Sequence, residues 1–233
     1  MNLRNRSKSF KLKPIIITID GGAASGKGTI AKFIKKEFNF FHIDSGIYYR
    51  KIAKIVIEKK IVLNKKKEIL DFINKYKKIN IANNRSLRSL KISKKSSEVA
   101  KIKEIRNLIN SNQKRLVKEN LKKYPGFVID GRDIGSVVFK KADIKLYIST
   151  NQKIRAKRRY KELIDRGERI IYSNVLNEIK IRDEKDKNRK YSPLIIPEKA
   201  ITIDNSCNLQ KTKKLIKNLI IKKLSNNKKN ANK

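Results

Sequence analysis

Short apolar runs alternate with longer amphipathic stretches along this chain. Residues 15–19 read IIITI and precede a glycine-rich turn, which is typical of a strand buried on both faces of a parallel sheet. Similar short runs at 40–44, 126–130, 144–149 and 200–204 predict four more strands. Strands that alternate with helices indicate an α/β fold, here a five-stranded parallel sheet flanked by helices.

The intervening segments carry apolar residues at helical spacing. In the segment that begins near Lys27, the residues Ile30, Phe33, Ile34 and Phe38 form a buried stripe. The same kind of spacing predicts further helices at 47–59, 65–76, most of 93–124, 151–166, 174–188 and 209–224.

Two kinds of segment depart from this alternation. Residues 78–92 alternate apolar and polar positions on both sides of a turn signal at Asn83 and Asn84, which predicts a small hairpin insert. The two ends of the chain are basic and polar. We therefore expect a flexible arm at 1–13 and a flexible tail at 225–233, around one domain at 14–224.

The composition limits the possible classes of protein. A chain of 233 residues is long enough to bury a full core. Its single cysteine, Cys207, excludes an internal disulfide, and with only His42 beside it there is no cysteine/histidine metal cluster. No apolar run approaches membrane-spanning length. We expect a cytoplasmic monomer without a membrane partner.

The net charge of +40 would suit a nucleic-acid-binding protein. However, lysines recur in almost every segment, and aromatic residues do not interleave with them as they do in a surface that stacks single strands. We therefore expect most lysines to form solvated faces. Weak nonspecific binding of polyanions follows from the charge, but no obligate nucleic-acid partner.

The turn after the first strand has the spacing G-x-x-x-x-G-K through Gly21, Gly26 and Lys27, and Thr29 follows one place later than in the strict pattern. Glycines let backbone N–H groups approach a phosphate, and the next helix directs its partially positive N-terminus at the same anion. Lys27 can then reach the β- and γ-phosphates, while Thr29 or Ser25 supports Mg²⁺. A preceding strand and a following helix favour this phosphate loop over a chance lysine in a glycine turn.

Polar side chains also follow later strands. Ser45 and Arg50 suit a second phosphate, although a plain helix start fits them equally well. Asp130 ends a buried strand, and an aspartate so placed commonly reaches a metal ion through water. Arg132 and Asp133 come next, at the sheet edge where ligands of open α/β folds bind.

The helix at 151–166 begins with a dense basic cluster. It is either a solvated helix or a mobile cover whose arginines close over a triphosphate, and we favour the cover. Ser97 and Arg106 are nine residues apart in a helical stretch and can line one pocket wall.

Arg182, Asp186 and Arg189 share one face of a predicted helix. Their spacing fits either a surface ion-pair ladder or a binding site. His42 lies inside an apolar strand, where we expect a packed histidine and not a ligand or base.

Five segments together resemble the motifs of bacterial cytidylate kinases, in the same order and with similar spacing. They read GGAASGKGT, HIDSGIYYR, LRSLKISKKSSEVAKIKEIR, VIDGRDIGSVVF and EIKIRDEKDKNRKYSPL. The likeness covers about residues 15–205, and the DSG, DGRD and RDxxDxxR blocks separate this family from other nucleoside monophosphate (NMP) kinases. The chain departs from the pattern at Gly22, where a proline or another residue is usual, in the short insert at 78–92, and in extra residues between Gln113 and Pro125.

The resemblance implies a P-loop NMP kinase fold, with an NMP-binding insert at about 64–100 and a helical lid at about 151–170. It implies ATP as phosphoryl donor, CMP and dCMP as acceptors, and Mg²⁺. ATP would lie on the loop residues Gly21, Gly22, Ala23, Ala24, Ser25, Gly26, Lys27, Gly28 and Thr29. The metal would be held by Thr29 and Asp130, partly through water.

The resemblance also implies a role for each residue of the acceptor site. The acceptor phosphate would be bound by Ser45, Arg50 and Arg132. The base would be bound by Ser97, Arg106, Asp133 and Arg189, and the sugar by Arg182 and Asp186. Charge on the transferred group would be neutralised by Lys27, Arg132, Arg155 and Arg159.

Two alternatives stay open from the sequence. One is a P-loop kinase for another small acceptor such as UMP, and the other is a basic ATP-binding protein associated with nucleic acid. Cytosine carries an exocyclic amino donor that a carboxylate accepts, whereas uracil presents an oxygen at that position. CMP is therefore expected to be a better acceptor than UMP.

Overall fold

The computed structural model describes residues 13–80, 87 and 89–231. Five strands form one sheet in the order β2-β3-β1-β4-β5, and all four pairings are parallel. The strands are β1 Ile15–Gly21, β2 Phe41–Asp44, β3 Gly126–Gly131, β4 Ile144–Ser149 and β5 Ile201–Asp204. The predicted α/β fold with a five-stranded parallel sheet is confirmed.

The helices cover both faces of the sheet. In chain order they are α1 Lys27–Phe38, α2 Ser45–Glu58, α3 Lys66–Lys75, α4 Leu90–Val99, α5 Lys103–Asn120, α6 Gln152–Ile164, α7 Tyr172–Asn188 and α8 Leu209–Ala231. One face of the sheet packs its apolar side chains with those of α2 and α5, and the other packs with α1 and α8. Isoleucines of β1 are buried because helices cover both faces of a parallel sheet.

This strand order brings all functional segments to one edge. β3 and β1 are neighbours, with Asp20 opposite Gly131, and β2 pairs with β3 so that Asp44 lies opposite Asp130. The chain leaves β1 and β3 at the same carboxyl edge, and β4 lies on the other side of β1. Ligands of open α/β sheets bind where the strand order reverses in this way.

The insert differs from the prediction. The predicted hairpin at 78–92 is wrong at its C-terminal end, because residues 90–92 are the first turn of α4. Ser89 caps this helix and accepts a hydrogen bond from Ile92 N. The turn signal at Asn83 and Asn84 lies outside the described residues. At the start of the insert, Asn112 of α5 accepts from Ile79 N at 3.1 Å and donates to Lys77 O at 3.0 Å.

Two further boundaries differ. The helical stretch predicted for 93–124 is two helices, because α4 ends at Val99 and α5 begins at Lys103. The final helix runs to Ala231, so the described part of the expected flexible tail is helical. Residues 225–231 contain neither glycine nor proline, which removes the usual helix breakers. Of the expected N-terminal arm, residues 1–12 lie outside the described residues.

Asp20 at the end of β1 anchors a π-helix at Ile134–Val138, which the sequence did not predict. Its two carboxylate oxygens accept hydrogen bonds from Ile134 N at 2.8 Å and Gly135 N at 2.7 Å. Burial raises the pKa of Asp20 to about 6, and the two backbone hydrogen bonds limit that rise. This contact fixes the turn that carries Arg132 and Asp133.

The raised pKa of Asp20 predicts a pH dependence of stability. The folded protein binds the proton more tightly than the unfolded chain, so this group's contribution falls as the pH rises from about 4 through 6. Asp20→Asn does not titrate and serves as the reference. The unfolding free energy of the wild type, minus that of Asp20→Asn, should fall by about 3 kcal/mol over that range. Urea denaturation of both proteins at pH 4 and 7.5 measures the change, and an unchanged difference would contradict it.

Candidate active site

A crevice of about 490 Å³ opens at the carboxyl edge of the sheet. Its floor is the phosphate loop, and its walls are the ends of β2 and β3 with helices α4, α6 and α7. From the basic segment at 151–166, Arg158, Arg159 and Glu162 line this crevice. The cavity residues come from segments far apart in the sequence.

The phosphate loop is held by residues that directly follow β4 and β5. Ser25 O accepts from Thr150 Oγ1 at 3.1 Å and from Asn205 Nδ2 at 2.9 Å. Gly26 has φ of 91°, and a Cβ there would lie 2.3 Å from Asn205 Nδ2. Only glycine fits this position, because both the backbone conformation and the space exclude a side chain. The loop thus presents α1's N-terminus to the crevice.

Lys27 is buried at the centre of the loop. Its Nζ donates to Gly22 O at 2.6 Å and to Ser25 Oγ at 3.3 Å. Burial lowers the pKa of Lys27 well below its ordinary value, and Arg132 lowers it further by repulsion, while Asp130 and Asp20 act in the opposite direction. A bound polyanion would relieve the repulsion between these cations.

Arginines from four different elements converge beside Lys27. Burial, followed by repulsion from Arg132, Arg50 and Arg159, lowers the pKa of the half-buried Arg182 to about 10, with Asp186 opposing the shift. All four guanidinium groups line the crevice. Because like charges are brought together at a cost in free energy, this cluster is suited to an anion with several charges.

A second group of charges lies where the base is expected. Arg106 Nη2 donates to Asp133 Oδ2 at 2.5 Å, and both side chains are almost completely buried. Arg189 Nη2 is 3.9 Å from Asp133 Oδ1, and the Arg106 guanidinium lies 5.4 Å from the centre of the Tyr49 ring. The structure thus brings Arg106, Asp133 and Arg189 together, as predicted. Tyr49 was not singled out from the sequence.

Asp186 joins the two groups. Its oxygens accept from Arg132 Nε at 3.0 Å and from Arg189 Nη1 at 3.4 Å. Burial alone would raise the pKa of Asp186, but Arg132, Arg182 and Arg189 hold it below its usual value. Asp186 is therefore ionised at neutral pH, and its face of α7 is part of a buried network and not a surface ion-pair ladder.

The two predicted serines line the same crevice. Ser45 Oγ accepts from Gln113 Nε2 at 3.2 Å, so a buried amide of α5 orients it. Ser97 Oγ donates to Ser93 O one turn earlier in α4, at 3.4 Å, and Ser96 beside it also lines the crevice.

Asp130 and Thr29, the predicted metal residues, also border the crevice. Asp130 Oδ1 is 2.6 Å from His42 Nε2. His42 packs in β2 as expected, yet its imidazole also borders the cavity. In the described part of the chain, no three His, Cys, Asp or Glu side chains converge to form a metal site by themselves.

The resemblance implies a catalytic role for Arg155, which the structure places among protein contacts. Its guanidinium does not line the crevice. Nη1 and Nη2 make a bidentate pair with Asp183 at 2.9 and 2.5 Å, Nη1 also donates to Ala23 O at 3.2 Å, and Nε donates to Thr150 O at 3.0 Å. The residue is 7% exposed. Arg155 thus ties α6 and α7 to the phosphate loop.

A neighbouring arginine takes the position beside the loop. Arg158 lines the crevice, and its Nη2 donates to Asn205 O at 2.8 Å. Its Nη1 is buried without a hydrogen-bond partner among the described residues, and a Cβ on Gly26 would lie 3.7 Å from it. The RAKRR cluster signalled a group of this kind, but sequence alone could not decide which arginine faces the cavity.

A family model described as cytidylate kinase matches residues 17–225. The cytidylate kinase of Bartonella bacilliformis is 38% identical over 195 residues, which cover 84% of this chain and 88% of that protein. The cytidylate kinase of Rickettsia rickettsii is 39% identical over 202 residues, which cover 86% and 89% of the two chains.

Among solved structures, one of an uncharacterized protein from Eubacterium ventriosum is similar in fold. The TM-score is 0.51 at 16% identity, and the match covers 90% of this chain and 99% of the other. At this identity the likeness supports the fold alone.

In the described residues, no helix is both long and apolar enough to span a bilayer.

The different contacts of Arg155 and Arg159 predict different mutant phenotypes. Arg155→Ala leaves the partly buried Asp183 carboxylate without its bidentate partner, so we expect a loss of about 3 kcal/mol of unfolding free energy. Arg159→Ala on the same helix removes a partly exposed contact to Glu162, and we expect a loss of under about 1 kcal/mol together with slower turnover. Urea denaturation and steady-state kinetics measure both. Equal destabilisation by the two substitutions would contradict this assignment.

Proposed function

The chain belongs to the cytidylate kinase family, and we propose that it transfers the γ-phosphoryl group of ATP to CMP and dCMP, forming ADP with CDP or dCDP. The observation that carries this proposal is that two anion-binding regions, the phosphate loop and the arginine cluster, share one crevice. A kinase needs both, because donor and acceptor each bring a phosphate to the same point.

The donor triphosphate is proposed to lie on the phosphate loop. Backbone N–H groups of the loop and the N-terminus of α1 supply fixed partial charges to it. Lys27 now donates to Gly22 O and Ser25 Oγ, and it would exchange these acceptors for phosphate oxygens. Arg158 beside Gly26 retains a donor for the same ligand.

The acceptor phosphate is proposed to lie against Ser45, Arg50 and Arg132, opposite Lys27. Arg132 is held in place because its Nε donates to Asp186 and its Nη1 to Gly131 O at 3.2 Å. Gln113 holds Ser45 in the same way. A site whose guanidinium and hydroxyl groups are already positioned before the ligand binds loses less conformational entropy on binding.

Base recognition is assigned to Ser97, Arg106, Asp133 and Arg189. Arg106 and Arg189 flank the Asp133 carboxylate. A carboxylate can accept several hydrogen bonds, so Asp133 can also accept one from the amino group of cytosine. The two arginines would then donate to O2 and N3 of the base. UMP would place its O4 acceptor against the carboxylate, which leaves buried groups unpaired. The sugar is assigned to Arg182 and Asp186.

Transfer is proposed to be direct and in line. An acceptor phosphate oxygen forms the new bond to the γ-phosphorus as the bond from that phosphorus to the β,γ-bridging oxygen breaks, and ADP leaves with the bonding electrons. No covalent enzyme intermediate is needed. Lys27, Arg132, Arg159 and Arg182 surround this point and neutralise charge spread over the transferred group.

The residues present fit a magnesium ion. Asp130 offers a carboxylate and Thr29 a hydroxyl on the same cavity wall, and Mg²⁺ prefers oxygen ligands shared between few side chains, phosphates and water. Bound there, the ion would draw charge from the β- and γ-phosphates. Asp130 and Thr29 would hold it, the former partly through water.

The covering elements contact one another across the acceptor side. Lys94 of α4 is 3.0 Å from Glu178 of α7, so the insert and the helix after the lid are linked by an ion pair. Closure of these elements would exclude water, which otherwise competes with CMP for the γ-phosphoryl group.

Removing either central cation tests the site. We expect Lys27→Ala and Arg132→Ala each to lower kcat by at least about 100-fold, because about 3 kcal/mol of transition-state stabilisation is lost. Lys36→Ala, an exposed lysine on the same helix as Lys27, serves as the matched control and should keep normal turnover. Near-normal kinetics in both site variants would defeat the assignment of these cations.

The acceptor preference tests the reaction itself. ADP release from ATP should be rapid with CMP and dCMP, and kcat/KM for UMP should be lower by at least about 10-fold because its O4 acceptor would face the Asp133 carboxylate. A coupled ADP-release assay across CMP, dCMP, UMP and AMP measures this. A stronger response to another acceptor, or stimulation by RNA or DNA but not by CMP, would overturn the proposed function.

A further inference from the structure

We propose that His42 is a positioning residue for ATP-bound Mg²⁺: it engages one oxygen of the Asp130 carboxylate and so keeps the other oxygen directed at the phosphate loop. This inference rests on the function proposed above, since it concerns the metal that accompanies ATP. It assigns a role to the single histidine of the chain.

The sheet register places the two side chains together. His42 lies opposite Val128 and Asp44 opposite Asp130 in the parallel β2–β3 pair. Because side chains alternate along a strand, His42 and Asp130 project from the same face and are diagonal neighbours. Ile43 and Ile129 project from the opposite face into the core. The contact therefore follows from strand order and register.

The hydrogen bond defines the orientation of the carboxylate. Nε2 of His42 is 2.6 Å from Oδ1 of Asp130, and a carboxylate oxygen accepts, so Nε2 is assigned as the donor. The other oxygen, Oδ2, faces the loop: a Cβ built on Gly28 would lie 3.9 Å from it. Gly28 is followed by Thr29, the proposed hydroxyl ligand. One oxygen is thus held by protein, and the other is presented to the ligand.

Without His42 the carboxylate has a competing partner. Asp130 is close enough to Lys27 to oppose the lowering of that lysine's pKa, which is caused mainly by burial. An Asp130 side chain released from His42 would turn toward this ammonium. Both groups would then be withdrawn from the triphosphate and its metal, so the effect of losing His42 would exceed that of one hydrogen bond. Carboxylates near metals are commonly held by such outer contacts.

Three variants test the proposal. His42→Leu removes the donor, and His42→Gln retains an amide donor of similar reach. Phe41→Leu is the matched control, because it removes a ring from the same strand that packs on Tyr124 and Phe127 away from Asp130. Binding of Mn²⁺ in the presence of ADP is measured by the electron paramagnetic resonance signal of free Mn²⁺, so no turnover is involved.

We expect His42→Leu to weaken Mn²⁺ binding with ADP by about 10- to 100-fold, His42→Gln to recover most of the loss, and Phe41→Leu to leave this affinity unchanged. In the wild type, the His42 ring signals need no assignment in NMR spectra because there is one histidine. Addition of small amounts of Mn²⁺ with ADP should broaden them strongly. This second measurement does not depend on the folding of any variant.

Unchanged Mn²⁺ affinity in a folded His42→Leu protein would overturn the positioning role, and so would ring signals that stay sharp. Either result would leave the proposed function standing if the wild type phosphorylates CMP. Absence of transfer to any nucleoside monophosphate would instead overturn the proposed function, so the two failures are distinguishable.

Discussion

Buried positive charge is the constraint on which the active site depends. Lys27, Arg50, Arg132, Arg159 and Arg182 face one crevice, and burial together with repulsion from neighbouring arginines lowers the pKa of Lys27 and Arg182. The fold opposes this repulsion with carboxylates that each touch a specific guanidinium group. A substrate with several negative charges would balance this positive charge, which agrees with the proposed binding of two phosphorylated ligands in the crevice.

The carboxylates do more than reduce charge. Asp186 holds Arg132 and Arg189, and Asp133 holds Arg106, so these three guanidinium groups have defined orientations. Asp20 holds the π-helix that begins one residue after Asp133 and thereby fixes the turn that carries it. Carboxylates that orient other side chains in this way are typical of active sites, where the reacting groups must be held to within a fraction of an ångström.

The pattern of neighbouring residues in the sequence was sufficient to predict some parts of this structure. The isoleucine-rich runs predicted the sheet, and the spacing of Gly21, Gly26 and Lys27 predicted the phosphate loop, because both depend on neighbouring residues. The roles of Arg155 and Arg158 were not predictable, since both belong to one basic cluster and their difference depends on where α7 and β5 lie. The contact between His42 and Asp130 likewise requires the pairing of β2 with β3. The first turn of helix α4 was missed because residues 90–92 continue an apolar–polar alternation.

The support of Ser25 by Thr150 and Asn205 has a consequence for biosynthesis. The loop lies near the start of the chain, but two of the groups that define its shape come from the ends of β4 and β5. A nascent polypeptide that has not yet emerged past residue 205 lacks one of them. The nucleotide pocket is therefore completed late during translation, and ATP cannot gain its full set of contacts from an N-terminal fragment alone.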